Sequence, residues 1–358
     1  MANIVILGAG VMGSALAIPP STVADNAVTL AGSPLDDNII ASIQNNRYHP
    51  TLDVQIPASV NAVHLNDLDK KTVQAADIIV IGVSNAGVDW ATDYLNDQLA
   101  NPATLALVTK GLVESGVTGA PPLTYADTLV KSLDLAHDQI VGIGGPCIAR
   151  ELALGYPTRV TFACRNPSRA QSMLQQFQTN YYRITIHKNV VALEACAALK
   201  NFLCIGVSAM LSAYPLDNGH AKNPLAALYN QAVRELFILS QWISDASPTP
   251  SSGTEAPTNH VAFDLAGMGD LHVTVGGGRN SRLGAYLGKG ERLSRILSSS
   301  MAGVTVEGVD TGRRLLSGFR AGCINGQLEV TDLPLTDAIL NSIENDNRFV
   351  FDFQSLPV

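Results

Sequence analysis

The first half of the chain alternates short apolar runs with longer stretches in which apolar residues recur at helical spacing. The apolar runs are bounded by Gly, Asn and Asp, which is typical of strands in a parallel sheet that is covered on both faces. The predicted strands are Asn3–Leu7, Ala27–Ala31, Asp77–Val83, Thr104–Val108, Gln139–Ile143, Arg159–Cys164 and Arg183–His187. This alternation indicates an α/β domain.

Beyond about residue 188 the pattern becomes mainly helical. The predicted helices are Val190–Ser212, Pro224–Ser244, Arg279–Gly288, Arg292–Ser299, Gly308–Gly318 and Leu335–Glu344. The segment Ser247–Asn259 is rich in Pro, Ser and Thr, and this composition predicts a mobile surface loop. We therefore expect an α/β domain over residues 1–188 and a mainly α-helical domain over residues 189–358.

Composition and charge narrow the function classes. The 358 residues carry a formal net charge of −8. This charge argues against nucleic acid as the main partner, because binding to phosphates requires a basic surface. No apolar run approaches the ~18 residues that a membrane-spanning helix needs. The start, Met1–Gly13, has no Lys or Arg and is interrupted by glycines, unlike a secretory signal. We expect a cytoplasmic protein that does not insert into a membrane.

The cysteines and histidines give no support for a metal site. The chain has five Cys, an odd number, and none of them forms a Cys-x-x-Cys pair. The seven His include no His-x-x-x-His pair. We expect no metal and no disulfide framework, and most of the cysteines are predicted to be small buried residues.

A glycine motif follows the first predicted strand. Gly8, Gly10 and Gly13 form G-x-G-x-x-G, with Val11 and Met12 between the last two. In a strand–turn–helix context the first glycine permits a tight turn, the second lets a pyrophosphate approach the backbone, and the third lets helix pack on strand. The motif predicts a site for NAD or NADP. Pro19 and Pro20 are expected to end the following helix early.

The end of the second strand does not indicate which of the two cofactors is used. Ala31-Gly32-Ser33-Pro34 offers neither an acid for the ribose 2′-hydroxyl nor an Arg for a 2′-phosphate. Asp36 and Asp37 follow, but we expect them to lie too far along the chain to reach the ribose.

Two further turns follow predicted strands and are candidates for ligand contact. Lys110 comes shortly after Thr104–Val108, where ligands of open α/β sheets bind, although an ordinary solvated Lys is an equal alternative. Gly144–Ala149 contains backbone N–H groups that can bind an anion, and a purely structural turn is the other interpretation.

The helical half contains polar residues in unusual surroundings. Lys200 lies in an apolar helix between Cys196 and Cys204. Such a position is costly unless the amine meets a partner or a cleft, and desolvation favours the neutral amine, which suits proton exchange with an alcohol or ketone oxygen. A Lys that extends along the helix to reach solvent is the alternative.

The glycine-rich segment after residue 264 offers candidate partners. Asp270 is suited to orient a hydroxyl or to pair with Lys200, and Arg279 with Asn280 near a helix start suggests a phosphate clamp. A capping Asn beside an exposed Arg is the structural alternative. Glu307 precedes another helix, where an acid is favourable, and is also a candidate for cofactor contact.

Taken together, these segments resemble NAD(P)-dependent glycerol-3-phosphate dehydrogenase of the soluble bacterial type. The similarity extends over nearly the whole chain. Its landmarks are Gly8–Ala15, Asn46–Pro50, Lys110–Leu112, Gly145–Ala149, Ala198–Asn201, Gly267–Leu271, Arg279–Gly284 and Val306–Val309. The resemblance implies a Rossmann-type N-terminal domain and a helical C-terminal domain similar to that of 6-phosphogluconate dehydrogenase.

The resemblance also implies residue roles. Lys200 would be the catalytic acid/base, and Lys110 would be a second catalytic residue that contacts both substrate and cofactor. Substrate-binding positions would be Lys110, Gly145, Cys147, Lys200, Asp270, Gly278, Arg279 and Asn280. Cofactor-binding positions would be Gly8, Gly10, Val11, Met12, Gly13, Ser33, Lys110, Ala149, Arg279 and Glu307.

Several of these positions depart from the family pattern. Cys147 stands where the family usually has Ser, and Ser33 where it usually has Arg. Three glycines precede Arg279 where the family tends to have Ser-containing residues, and the loop at 247–259 is longer than usual. These departures bear on the substrate contacts and on the preference for NADPH.

We expect an oxidoreductase of glycerophospholipid metabolism that interconverts dihydroxyacetone phosphate and sn-glycerol 3-phosphate. Its partners would be a small phosphorylated metabolite and a second copy in a homodimer. One alternative is a related two-domain dehydrogenase that acts on another small acid or sugar phosphate. The other is a dinucleotide-binding sensor without turnover.

Overall fold

The computed structural model describes residues 2–99, 103–216, 219–248 and 260–357. These residues form two compact units. The first comprises Met1–Lys110 and Ala126–Val190, and the second comprises Gly111–Tyr125 and Val191–Val358. The assignment of Gly111–Tyr125 to the second unit was not anticipated from the sequence. Residues 249–259 of the loop predicted at Ser247–Asn259 lie outside the described residues.

The seven predicted strands are all present, and β1 and β2 match the prediction at both ends, whereas the other seven strands of the described residues, including β5, were not predicted. The strands are β1 Asn3–Leu7, β2 Ala27–Ala31, β3 Tyr48–His49, β4 Val54–Gln55, β5 Val60–Val63, β6 Ile78–Ile81, β7 Thr104–Leu107, β8 Leu112–Val113, β9 Leu123–Thr124, β10 Ile140–Gly144, β11 Thr158–Ala163, β12 Tyr182–His187, β13 Pro215–Leu216 and β14 Gly219–His220.

The predicted helices of the second half are also present. The helices are α1 Val11–Ser21, α2 Asp37–Asn46, α3 Lys70–Gln74, α4 Val88–Asn96, α5 Tyr125–Ser132, α6 Ala149–Ala153, α7 Pro167–Phe177, α8 Val190–Ala213, α9 Lys222–Ala246, α10 Asp270–Val275, α11 Arg279–Gly288, α12 Leu293–Ser298, α13 Glu307–Ile324 and α14 Pro334–Asn345. The helix α13 continues six residues beyond the predicted end at Gly318.

The first unit is built on an eight-stranded sheet in the order β12-β11-β10-β7-β6-β1-β2-β5. Six neighbouring strands of this sheet run parallel in the Rossmann order, which confirms the predicted fold class. Across the sheet they follow the order β5, β2, β1, β6, β7 and β10. The prediction of a purely parallel sheet is wrong at one place, because β11 pairs antiparallel with β10. Every residue of β6 and β7 is buried, as expected for strands covered on both faces.

The expectation that Pro19 and Pro20 end α1 early is also wrong. The helix continues through both prolines to Ser21. Their missing N–H groups affect only the last turn, and the helix is buried from Gly13 to Pro20, so packing holds it in place. The carbonyl of Pro19 accepts hydrogen bonds from the backbone N–H and the hydroxyl of Thr22.

The second unit is organised around α8. This helix is long and apolar enough to cross a membrane by length and composition alone, so the expectation that no segment reaches that length was wrong. Its most apolar 18-residue window is nevertheless entirely buried inside the protein. That burial is the property of a core helix.

Glycines allow two other helices to approach the backbone of α8. A Cβ at Gly284 of α11 would collide with the carbonyl oxygen of Ile205, and one at Gly308 of α13 with that of Asn201. The second turn of α11 and the first turn of α13 are thereby brought against the middle of α8, where Lys200 lies.

Candidate active site

The glycine turn after β1 has the geometry that its motif predicts. Gly8 adopts a φ of +102°, which side chains rarely tolerate. A Cβ at Gly13 would collide with the Gly8 carbonyl oxygen, whereas a Cβ at Gly10 would meet no protein atom within 4 Å. Val11, Met12 and Gly13 form the first turn of α1, where backbone N–H groups lack acceptors within the helix. The turn fits the pyrophosphate of a dinucleotide.

Three side chains hold this turn in place through Ala9. The Ala9 N–H donates to Oδ2 of Asp36 at 2.9 Å, and its carbonyl accepts from the hydroxyl of Ser14 at 3.0 Å. The same carbonyl lies 3.1 Å from Nε2 of His49, whose Nδ1 accepts the N–H of Leu52. Burial lowers the pKa of His49, so the ring is neutral and donates through Nε2.

A cavity of about 380 Å³ opens beside the turn, beyond the carboxyl ends of β1, β2 and β6. Its lining residues are Gly8, Gly10, Ser33, Pro34, Leu35, Asp36, Gly82, Val83, Ser84, Ala86, Gly87 and Trp90. This is the place where doubly wound sheets bind nucleotides. Asp36, which we expected to lie too far along the chain to reach the ribose, lines this cavity. The sequence also gave no indication that His49 supports the turn or that Trp90 lines the cavity.

The other predicted positions of the first unit lie after two neighbouring strands. Lys110 follows β7 and is partly buried, and Gly145 follows β10 with a φ of +131°. Because β7 and β10 are parallel neighbours, their carboxyl ends meet at one edge of the sheet. Cys147 is partly buried, and Ala149 begins α6. The chain thus brings Lys110 and the Gly145–Cys147 turn to the same edge.

In the second unit, Lys200 is buried and pairs with a carboxylate. Its Nζ donates to Oδ1 of Asp270 at 2.9 Å and to Oγ1 of Thr274 at 2.5 Å. The Thr274 hydroxyl in turn donates to the backbone carbonyl of Asp270, which leaves its lone pair to accept from the amine. The side chains of Lys200 and Asp270 are 7% and 4% exposed. The predicted pairing is confirmed, and the alternative that Lys200 extends to solvent is wrong.

Thr274 was not predicted, although a signal existed. It follows Asp270 by four residues, and residues at this spacing share one face of a helix. One π-helical turn, Leu265–Gly269, leads into α10 and precedes Asp270 directly. Such turns occur frequently at functional sites.

A second network begins at the next residue of α8. Asn201 donates to Oε2 of Glu307 at 3.0 Å, and Oε1 of Glu307 pairs with Arg279 at 3.0 Å. Asn280 is buried, and its Oδ1 accepts the N–H of Gly308 at the start of α13. Gly278 precedes α11 with a φ of +108°. The predicted residues Gly278, Arg279, Asn280 and Glu307 therefore lie together.

This arrangement leaves donors for an anion at the start of α11. The Arg279 side chain is half exposed and uses one guanidinium nitrogen for Glu307. Among the described residues, Nδ2 of Asn280 meets no hydrogen-bond acceptor. A glycine turn for a pyrophosphate in the first unit, and a buried amine with anion donors in the second, are features of nicotinamide-dinucleotide-dependent oxidoreductases.

Comparison with known proteins narrows this class to one family. The model of the NAD-dependent glycerol-3-phosphate dehydrogenase N-terminus matches residues 3–170, and that of the C-terminus matches residues 189–349. The chain belongs to this family. It is an NAD(P)-dependent oxidoreductase that acts on a CH–OH group.

Individual relatives agree with the family assignment. The NADP(+)-dependent glycerol-3-phosphate dehydrogenase of Archaeoglobus fulgidus is 31% identical over 319 residues, which cover 86% of this chain and 87% of the relative. The glycerol-3-phosphate dehydrogenase [NAD(P)+] of Oceanobacillus iheyensis is 28% identical over 352 residues, covering 97% and 91%.

Solved structures share the fold. The glycerol-3-phosphate dehydrogenase of Coxiella burnetii superposes with a TM-score of 0.75 at 22% identity, covering 97% of this chain and 96% of the other. That of Plasmodium falciparum gives 0.79 at 16% identity, covering 97% and 92%.

Proposed function

We propose that this protein interconverts dihydroxyacetone phosphate and sn-glycerol 3-phosphate with NAD(H) or NADP(H). The observation that carries the proposal is the buried Lys200–Asp270 pair, which lies in the same unit as the anion donors of α11. The family membership supports the substrate class, a small phosphorylated metabolite.

Bound nicotinamide supplies or accepts the hydride. Lys200 carries the proton that the carbonyl oxygen takes up, so that ketone, hydride and proton together give the alcohol. The carboxylate of Asp270 stabilises the charged amine in this buried position, and the Thr274 hydroxyl fixes its direction. Fixed cationic donors also stabilise the negative charge that develops on the oxygen.

The remaining predicted residues bind and orient the substrate and the cofactor. Arg279 and Asn280 hold the substrate phosphate, and the backbone at Gly278 admits it closely. Lys110, Gly145 and Cys147 complete the substrate contacts. Gly8, Gly10, Val11, Met12, Gly13, Ser33, Ala149 and Glu307, with Lys110 and Arg279, contact the cofactor.

The biological setting is part of the same proposal. The protein acts in the cytoplasm in glycerophospholipid metabolism, as a homodimer, without a nucleic-acid partner and without membrane insertion. Residues 1–188, apart from Gly111–Tyr125, form the dinucleotide-binding domain, and residues 189–358 form the substrate-binding and catalytic domain.

An assay of the purified protein tests the reaction. Dihydroxyacetone phosphate is added with NADH or NADPH, and oxidation is followed at 340 nm. We expect rapid oxidation with dihydroxyacetone phosphate and little with ketopantoate or unphosphorylated dihydroxyacetone. Turnover of ketopantoate alone would favour the related-dehydrogenase alternative. Cofactor binding without oxidation of any substrate would favour the sensor.

A further inference from the structure

The carboxylate of Asp36 has two oxygens in different situations. Asp36 precedes α2, and its Oδ2 accepts the N–H groups of Ala9 at 2.9 Å and Ser33 at 2.8 Å. Among the described residues, no group donates a hydrogen bond to its Oδ1. Because Asp36 lines the cavity beside the glycine turn, one oxygen holds the turn and the other remains to accept from a ligand.

The cavity offers no positive charge to balance this carboxylate. Its described lining residues include no Lys, Arg or His. His49, which also interacts electrostatically with Asp36, is buried with its pKa lowered by desolvation, so its ring is neutral near pH 7. A further anionic group placed beside Asp36 would therefore face its negative charge with no cationic side chain of the described lining to compensate it.

NAD and NADP differ in one group that such a charge distinguishes. A ribose hydroxyl donates to a carboxylate, whereas the 2′-phosphate of NADP is repelled by it and needs a cation. We propose that Asp36 selects NAD(H) over NADP(H), with its Oδ1 accepting from the adenosine ribose. This selectivity rests on the dinucleotide binding of the proposed function. It distinguishes this chain from its NADP(+)-dependent relative of Archaeoglobus fulgidus.

Direct binding tests the selectivity without any substrate. The purified full-length protein is titrated with NADH and with NADPH, and the nicotinamide fluorescence gives each dissociation constant. We expect NADH to bind at least about tenfold more tightly than NADPH, the size of a single charge-assisted contact. In competition, 5′-AMP should displace NADH at a lower concentration than 2′,5′-ADP, which differs from it only by the 2′-phosphate.

Two matched variants locate the effect. Asp36→Asn keeps an oxygen for the Ala9 and Ser33 N–H groups but removes the charge, so the preference should fall to less than about threefold. Asp37→Asn removes the same charge at the adjacent position, where the carboxylate is exposed and pairs with His64 at 2.9 Å. It should leave the preference unchanged.

A third variant covers the case in which Asp36→Asn does not fold. Ser33→Arg keeps the carboxylate and adds a cation at the cavity wall, and it should tighten NADPH binding relative to NADH. Equal binding of both cofactors by the unchanged protein would overturn the proposal, as would equal ratios in the Asp36 and Asp37 variants. NADH selectivity without reduction of dihydroxyacetone phosphate would contradict only the proposed function.

Discussion

Lys200 and Asn201 are adjacent in the chain, yet they serve different networks. Successive residues of a helix point in different directions, so Lys200 reaches α10 while Asn201 reaches the start of α13. One turn of α8 thereby positions both the proposed proton donor and, through Glu307, the guanidinium of Arg279.

Replacing Lys200 tests its role as a proton donor. We expect Lys200→Ala to lower kcat by about a hundredfold or more, the usual contribution of general acid catalysis, while NADH binding is nearly unchanged. Initial rates and fluorescence titration measure the two effects. The exposed Lys289 is the control, and Lys289→Ala should behave as the unchanged protein does. Full activity of Lys200→Ala would remove this residue from the mechanism.

Thr274 is proposed as a positioning residue for the amine. Thr274→Val keeps the shape but removes the hydroxyl that accepts from Lys200, and we expect kcat to fall by about tenfold. Thr274→Ser restores the hydroxyl and should recover most of the activity. If both variants lose activity equally, packing rather than the hydrogen bond is responsible.

At the scale of elements, a buried carboxylate fixes one helix start. Glu235 of α9 accepts the N–H groups of Leu335 at 2.8 Å and Thr336 at 2.6 Å, in the first turn of α14. Gln231 donates to it as well at 2.8 Å. The side chain is fully buried, and this burial raises the pKa of Glu235 to about 7.

This raised pKa predicts a pH dependence of stability. The folded state binds a proton at Glu235 more tightly than the unfolded chain does, because the pKa of this carboxyl in the unfolded chain is the ordinary value of 4.5. The contribution of this proton to the free energy of unfolding is therefore complete below pH 4.5 and is lost as the pH rises to about 7. Glu235→Gln does not titrate at this position.

Urea unfolding of both proteins from about pH 5.5 to 8 isolates the effect. The stability of the unchanged protein relative to Glu235→Gln should fall by about 2 kcal/mol and then level off above about pH 7. Glu329→Gln, at an exposed carboxylate, is the control and should show no such change. A constant difference for Glu235→Gln would show that this carboxyl has an ordinary pKa in the folded state.

At the scale of the whole molecule, one short segment departs from the simple division of the chain. Gly111–Tyr125 carries the β8–β9 hairpin and belongs to the second unit, although residues on both sides belong to the first. Leu112 pairs with Thr124 in that hairpin, so the two ends of the segment lie close together. Leu112 and Thr124 are buried within the described structure.

A fragment of residues 1–190 tests this division. With Gly111–Tyr125 retained, the fragment exposes the apolar surface that the second unit covers, and we expect it to aggregate or to bind a hydrophobic dye. Replacing the segment by a short Gly/Ser linker should give a soluble fragment that binds NADH. Equal solubility of both fragments would contradict the assignment of the segment to the second unit.

The sequence alone determined the features that depend on local periodicity. The apolar runs of β1, β2 and β6, the glycine turn at Gly8–Gly13 and the helix α11 follow from the spacing of residues that are close in the chain. The sequence also favoured a buried Lys200, because most of its neighbours in α8 are apolar, although it left open a side chain that extends to solvent. Such patterns need no knowledge of distant residues.

Only the tertiary structure decided which residues meet across long separations. It brought Asp36 to Ala9, paired Lys200 with Asp270, and turned β11 antiparallel to β10. It also allowed α1 to continue through Pro19 and Pro20, because burial offset their lost hydrogen bonds. These outcomes depend on packing between distant segments, and the periodicity of one segment carries no information about which other segment it meets.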